Sequence, residues 1–129
     1  MDQLIDTCAL LFFLEDDPRL PQRACEAIED PGRRSLVSLA SLWEMAIKAS
    51  LGKLQADYAR RPDLPDLLRA NGFEVVAPGW EAMRTAAFLP PVHRDPFDRL
   101  LVAEARLRKI PVITPDESFD AYHVARIWR

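Results

Sequence analysis

The chain has 129 residues, of which 49% are hydrophobic and 29% charged, and this composition excludes a disordered chain. Its length fits one domain that spans residues 1–129. Its net charge of −3 at pH 7 differs from that of a strongly basic nucleic-acid-binding domain.

The sequence also indicates the cellular compartment. We find no apolar run long enough to cross a bilayer, and the N-terminal residues lack the basic and apolar regions of a secretory signal. Cys8 and Cys25 fit reduced thiols, and no Cys/His cluster indicates zinc. We therefore expect a cytoplasmic protein without a membrane partner.

Short apolar runs alternate with helical patterns in the first half of the chain. A strand is expected at residues 3–5, ending at Asp6, and helices at residues 8–14 and 21–29. A second short strand, residues 36–37, leads into a helix whose apolar side chains recur at helical spacing from Trp43 to Leu54. Gly52 is expected to stop this helix.

The second half repeats the alternation. Helices are expected at residues 64–70 and 80–88, with a strand at 73–77 between them. Asp95 before Pro96 is typical of a helix start, and strands are expected at residues 110–114 and 123–128. This order predicts a three-layer α/β/α fold around a mainly parallel sheet of four to five strands.

Acidic residues follow several of the predicted strands. Asp6 follows the first strand, Glu44 lies in the helix after the second, and Asp116 follows the fourth, while Asp95 and Asp98 begin the helix before that fourth strand. The carboxyl ends of parallel strands share one edge of a sheet, where sites form. Carboxylates gathered there favour Mg²⁺ or Mn²⁺ and metal-assisted hydrolysis of a phosphodiester.

Each acid also has a structural interpretation. Ser41 and Glu44 have the spacing of a capping box, and Lys48 lies one helical turn after Glu44. Asp6 and Thr7 are both candidate caps of the first helix, and Asp116 is a candidate turn residue.

Histidine and tryptophan are expected to have structural roles. His93 and His123 are interpreted as solvent-facing or packing residues rather than ligands. Phe12, Trp43 and Trp80 are interpreted as core residues, with a partner surface as the alternative for some of them.

The net charge of the chain is compatible with an RNA substrate. If the five acids named above bind metal, the rest of the chain has 17 basic against 15 acidic side chains, a net charge of +2.

Several separated segments together resemble the PIN-domain ribonucleases, and among them the VapC-type toxins of bacterial toxin–antitoxin pairs. They occur in the family's order and are residues 4–11 (LIDTCALL), 37–48 (VSLASLWEMAIK), 51–54 (LGKL), 93–103 (HRDPFDRLLVA) and 112–116 (VITPD). One departure is Cys8, where close relatives are expected to carry histidine.

The resemblance implies a PIN-like fold and a metal-dependent endoribonuclease. It makes Asp6, Glu44 and Asp98 the core ligands of Mg²⁺ or Mn²⁺ and Asp116 a fourth catalytic acid, with Asp95 beside them as an additional acid. It further implies an RNA substrate (tRNA or another structured RNA) and a small cognate antitoxin. A homodimer, formed through a helix face at the end of the sheet, is also expected.

Other functions remain as alternatives. A non-catalytic PIN-like binding module with a degenerate site would keep the same acids. A haloacid-dehalogenase-like phosphatase needs a second aspartate two residues after Asp6, where this chain has Cys8. A response-regulator receiver needs an acid after the middle strand, which here ends in Val-Val-Ala-Pro.

The antitoxin is expected to use two kinds of contact. An arginine from the partner would be attracted to the acids and could displace the metal. The helices with Leu10–Leu14 and Trp43–Leu54 carry more large apolar residues than one short stripe requires, and this surface suits an amphipathic helix.

Overall fold

A computed structural model describes residues 1–55 and 57–129, in which strands and helices alternate as the sequence predicts. The elements in chain order are β1 (Asp2–Ile5), α1 (Thr7–Leu14), α2 (Gln22–Glu29), β2 (Arg34–Ser38), α3 (Leu39–Ser50), a 3₁₀ helix (Asp57–Arg60), α4 (Leu64–Ala70), β3 (Phe73–Val76), α5 (Trp80–Ala87), α6 (Pro96–Arg108), β4 (Val112–Ile113), a second 3₁₀ helix (Glu117–Tyr122) and β5 (Arg126–Ile127).

The strands form one five-stranded sheet with the order β3-β2-β1-β4-β5, and every described pair is parallel. Leu4 of the central strand β1 lies opposite Leu36 of β2 on one side and Val112 of β4 on the other. The strands β2 and β3 are therefore added on one side of β1, and the later strands β4 and β5 on the other side. Ligands of α/β proteins bind where the strand order reverses in this way.

Helices cover both faces of the sheet, as the predicted three-layer fold requires. Consecutive strand residues point to opposite faces. Leu4 accordingly packs in a cluster with Leu101 and Val102 of α6, whereas Ile5 packs in another with residues of α1 to α4. The predicted fold is confirmed. Among the described residues, no helix has the length and apolar character that crossing a bilayer requires.

Some local predictions differ from the structure. Strands β4 and β5 are each two residues long and therefore shorter than the ranges predicted from the sequence. Trp43 and Trp80 are 65% and 74% exposed, so their assignment to the core is wrong. Gly52 adopts φ = 71° directly after α3, and it ends that helix as expected.

Candidate functional site

Asp6 lies at the carboxyl end of the central strand and caps α1. Its Oδ1 accepts a hydrogen bond from the backbone N–H of Ala9 at 2.7 Å. The side chain is buried, and burial raises its pKa to about 6, helped by the negative charges of Asp116 and Glu44. Asp6 is thus both the predicted cap and a carboxylate with two acidic neighbours. Thr7 is the first helical residue rather than the cap.

Glu44 is buried on α3 and has two hydrogen-bond partners. Its Oε1 accepts from the Thr7 hydroxyl at 2.6 Å, and its Oε2 accepts from Lys48 Nζ at 2.9 Å. Bonding to Glu44 raises the pKa of Lys48. The capping-box interpretation fails because the helix begins at Leu39, with Ser38 as its cap, so Ser41 already lies inside it.

Asp98 lies in the first turn of α6, three residues after the cap of that helix. Burial raises the pKa of Asp98 to about 7, and the negative charge of Asp95 is the next largest cause. Glu44 and Asp6 raise it further, whereas His93 acts in the opposite direction. Asp95 is the expected cap, since its Oδ1 accepts from the N–H of Phe97 at 2.8 Å.

Asp116 begins the 3₁₀ helix that follows β4. Its Oδ1 accepts from the backbone N–H and the hydroxyl of Ser118 at 2.9 and 2.7 Å. Its Oδ2 lies 2.9 Å from Nε2 of His93. Burial acts to raise the pKa of Asp116, but the bonds from Ser118 and His93 outweigh it and the pKa is lowered.

The structure brings the predicted acids to one edge of the sheet, in two groups. Ligand atoms of His93, Asp98 and Asp116 lie within 4.8 Å of one another, and they form the candidate metal-binding group found among the described residues. Asp6 and Glu44 adjoin them closely enough to raise the pKa of Asp98.

This donor set fits a hard divalent cation. Carboxylate oxygens are the ligands that Mg²⁺ and Mn²⁺ prefer, and a cation would offset both the burial of charge and the repulsion between acids that raise the pKa of Asp6 and Asp98. Four acids from four separate segments of the chain supply these oxygens.

Sequence reasoning missed His93. It was expected to face solvent or to pack, but its ring lies between two acids, with Nε2 3.0 Å from Asp98 and 2.9 Å from Asp116. The signal available in the sequence was its position two residues before the cap of the helix that carries Asp98. Thr7, which bonds Glu44, was considered only as a cap.

A family model described as PIN domain matches residues 4–124. No curated protein sequence matches the chain.

Solved structures share its fold at low sequence identity. VapBC2 from Rickettsia felis, bound to a DNA fragment from its promoter, has a TM-score of 0.71 at 13% identity, covering 98% of this chain and 97% of the other. VapBC-1 from nontypeable Haemophilus influenzae has a TM-score of 0.65 at 15% identity, with 98% and 96% covered. FitAcB from Neisseria gonorrhoeae has a TM-score of 0.60 at 16% identity, with 96% and 95% covered.

Proposed function

This chain belongs to the PIN-domain family, and we propose that it is a divalent-metal-dependent endoribonuclease that acts as the toxin of a toxin–antitoxin pair. The observation that carries the proposal is the approach of four acids at the carboxyl edge of the sheet, where burial, together with the charges of neighbouring acids, raises the pKa of Asp6 and Asp98. Buried carboxylates that lie close together destabilise the folded protein unless a cation or a proton neutralises their charge.

The proposed ligands of Mg²⁺ or Mn²⁺ are Asp6, Glu44, Asp98 and Asp116. When bound, the ion lowers the pKa of a water molecule and stabilises negative charge on the phosphodiester. Asp95 is assigned a supporting part, since its carboxylate caps α6 and its charge acts on Asp98.

The acids lie at different depths, which suits a substrate that approaches from one side. Asp6 and Glu44 are 5% and 4% exposed and form the floor of the site. The side chains of Asp98 and Asp116 are 22% and 34% exposed and form its rim. The backbone of a single-stranded or looped RNA, tRNA included, can reach such a rim.

A small antitoxin is the proposed protein partner, in the cytoplasm, and a homodimer is the proposed assembly. Two observations support a partner. The fold is similar to that of a toxin–antitoxin complex from Klebsiella pneumoniae, and the apolar side chains of Leu39 and Trp43 in α3 and of Leu51 at its end are exposed. An arginine of the antitoxin could form charge-assisted hydrogen bonds with the carboxylates of the site.

Cleavage of RNA by the purified protein tests the enzymatic part. We expect structured RNA to be cut with Mg²⁺ or Mn²⁺ and to stay intact with EDTA. The matched control is Asp6→Asn, because asparagine retains the helix cap but not the ligand charge. This variant, purified in parallel, should be inactive. No cleavage by folded wild-type protein at millimolar metal would favour the non-catalytic binding module instead.

Bacterial growth tests the toxin part. Cells that express the wild-type chain alone should stop growing, and co-expression of the neighbouring gene product should restore growth. Cells with Asp6→Asn at the same soluble level should grow in both cases. Equal growth of wild-type and Asp6→Asn cells without an antitoxin would contradict the toxin proposal.

A further inference from the structure

We propose that His93 is a positioning residue that holds two proposed metal ligands, Asp98 and Asp116, in place with a single imidazole N–H. The proposal rests on the metal-dependent function above. It gives a role to a side chain that lies outside the four acids.

The two carboxylates that His93 joins come from different elements. Asp98 lies in the first turn of α6, and Asp116 begins the 3₁₀ helix after β4. Nε2 of His93 lies 3.0 Å from Oδ2 of Asp98 and 2.9 Å from Oδ2 of Asp116. The contact with Asp116 has the geometry of a hydrogen bond, and the contact with Asp98 is a close approach of the same nitrogen at ion-pair distance. One ring atom therefore bridges two segments that are separated along the chain and carry like charges.

The other ring nitrogen determines which atom carries the hydrogen. The backbone N–H of Asp95 points at Nδ1 of His93 at 3.1 Å. Nδ1 must therefore accept, and a neutral imidazole that accepts at Nδ1 carries its hydrogen on Nε2. The Nε2–H group then faces the two carboxylates as a donor.

The backbone of His93 is held equally firmly. Its N–H donates to the buried Tyr122 hydroxyl at 2.8 Å, and that hydroxyl donates to the carbonyl of Pro90 at 2.7 Å. Its carbonyl accepts from Nη1 of Arg99 at 3.1 Å. Every polar group of His93 is thus bonded, and the ring has a defined position before any cation arrives.

This arrangement should favour metal binding. Without the shared donor, like charges would drive the Asp98 and Asp116 carboxylates apart, and an ion would have to bring them together again. A carboxylate oxygen that accepts one N–H still has lone pairs for a metal. Hydrogen-bond partners of ligating carboxylates typically contribute about 10–100-fold to metal affinity.

The bond to Asp95 also argues against His93 as a ligand itself. Coordination through Nε2 would move the ring hydrogen to Nδ1, where it would meet the N–H of Asp95. One hydrogen bond would be lost and two donors would face each other.

Two amide variants separate the ring's two nitrogens. In His93→Asn the amide reaches only as far as Nδ1, so it can still accept from Asp95 but cannot reach the acids. In His93→Gln the amide nitrogen reaches about as far as Nε2 and can donate to the acids. His123→Gln is the control, because His123 is exposed and neither of its ring nitrogens has a hydrogen bond to another described residue.

Affinities for Mg²⁺ and for Mn²⁺ are measured by calorimetric titration of each folded protein. We expect His93→Asn to bind both ions about 10–100-fold more weakly. His93→Gln should recover most of this loss, and His123→Gln should match the wild type.

Two results would overturn the proposal. Equal affinities in wild type and His93→Asn would show that the bridge does not position the ligands. A loss of Mn²⁺ affinity in His93→Asn with Mg²⁺ affinity unchanged would show that His93 is a nitrogen ligand, since the hard Mg²⁺ ion takes oxygen ligands and gains little from an imidazole. Failure of the metal-dependent function has a different signature, because the wild-type protein itself would then bind neither ion.

Discussion

The acidic site has two halves, Asp6 with Glu44 and Asp98 with Asp116, and different kinds of partner hold their carboxylates. Glu44 is paired inside its own helix with Lys48, one turn away, and with Thr7 at the start of α1. Asp98 and Asp116 instead share His93, which comes from the loop before α6. Charge in the first half is balanced by a cation that the local helix supplies. The second half depends instead on a neutral N–H donor that tertiary contacts hold in place.

Replacing one acid in each half should have the largest effect on RNA cleavage, and its effect on stability tests whether the two halves differ. Asp98→Asn and Glu44→Gln each remove a proposed ligand, so both should reduce RNA cleavage by more than the roughly 100-fold upper range of outer-shell substitutions. Their effects on folding should be opposite. Asp98→Asn removes a repelled carboxylate and should stabilise the metal-free protein by about 1 kcal/mol.

Glu44→Gln should instead destabilise the metal-free protein by about 1–2 kcal/mol, because Lys48 loses its charged partner beside a buried position. Urea unfolding in EDTA measures both changes in the free energy of unfolding. If both variants shift that free energy in the same direction, the two halves do not differ as described.

The contrast between the halves also explains what the sequence could predict. The parallel α/β/α fold and the helix caps Asp6 and Asp95 follow from apolar periodicity and local spacing, and the structure bears them out. The pairing of Glu44 with Lys48 is a contact between residues one turn apart, and it was foreseen for the same reason.

His93 could not be predicted from local spacing. Its ring meets Asp116, 23 residues further along the chain, and its backbone meets Tyr122, 29 residues away. Only the packing of the loop between α5 and α6 against the segment after β4 creates these contacts. The exposure of Trp43 was missed for a related reason, since helical periodicity shows which residues share a face but not what covers that face.

A change of pH should have the next largest effect, and this effect is on the free energy of unfolding. The pKa of Asp98 is about 7 in the folded protein, above its ordinary value of 3.8, so the native state binds more protons than the unfolded state between these values. The contribution of Asp98 to stability should therefore be greatest near pH 4 and fall by on the order of 2 kcal/mol as pH rises to about 7.

Glu104 and Asp6 also have raised pKa values, of about 7 and about 6, and contribute in the same direction. The difference between wild type and Asp98→Asn therefore isolates the second half of the site. Urea unfolding in EDTA at several pH values gives this difference. A difference that stays constant from pH 4 to pH 7 would contradict the raised pKa of Asp98.

The smallest effect should come from Thr7→Val, which tests the first half without removing an acid. The change keeps the shape of the side chain but removes the hydroxyl that donates to Glu44 at 2.6 Å. We expect the free energy of unfolding to fall by about 1 kcal/mol, while RNA cleavage persists at a reduced rate. Thr7→Ser keeps the hydroxyl and should lower the free energy of unfolding by less than Thr7→Val does. If both substitutions lower it equally, the hydrogen bond does not contribute to stability.

Arg99 gives the second half of the site a stability of its own. Its guanidinium donates to the carbonyls of Leu89, Pro90 and His93 and to two carbonyls at the end of α5. Segments joined in this way open and close as cooperative units that need not involve the whole molecule. Release of this one side chain would free the loop that carries His93 while the sheet stays folded. Backbone amides of that loop should then exchange with solvent through local opening, whereas those around Glu44 should exchange only when the protein unfolds globally.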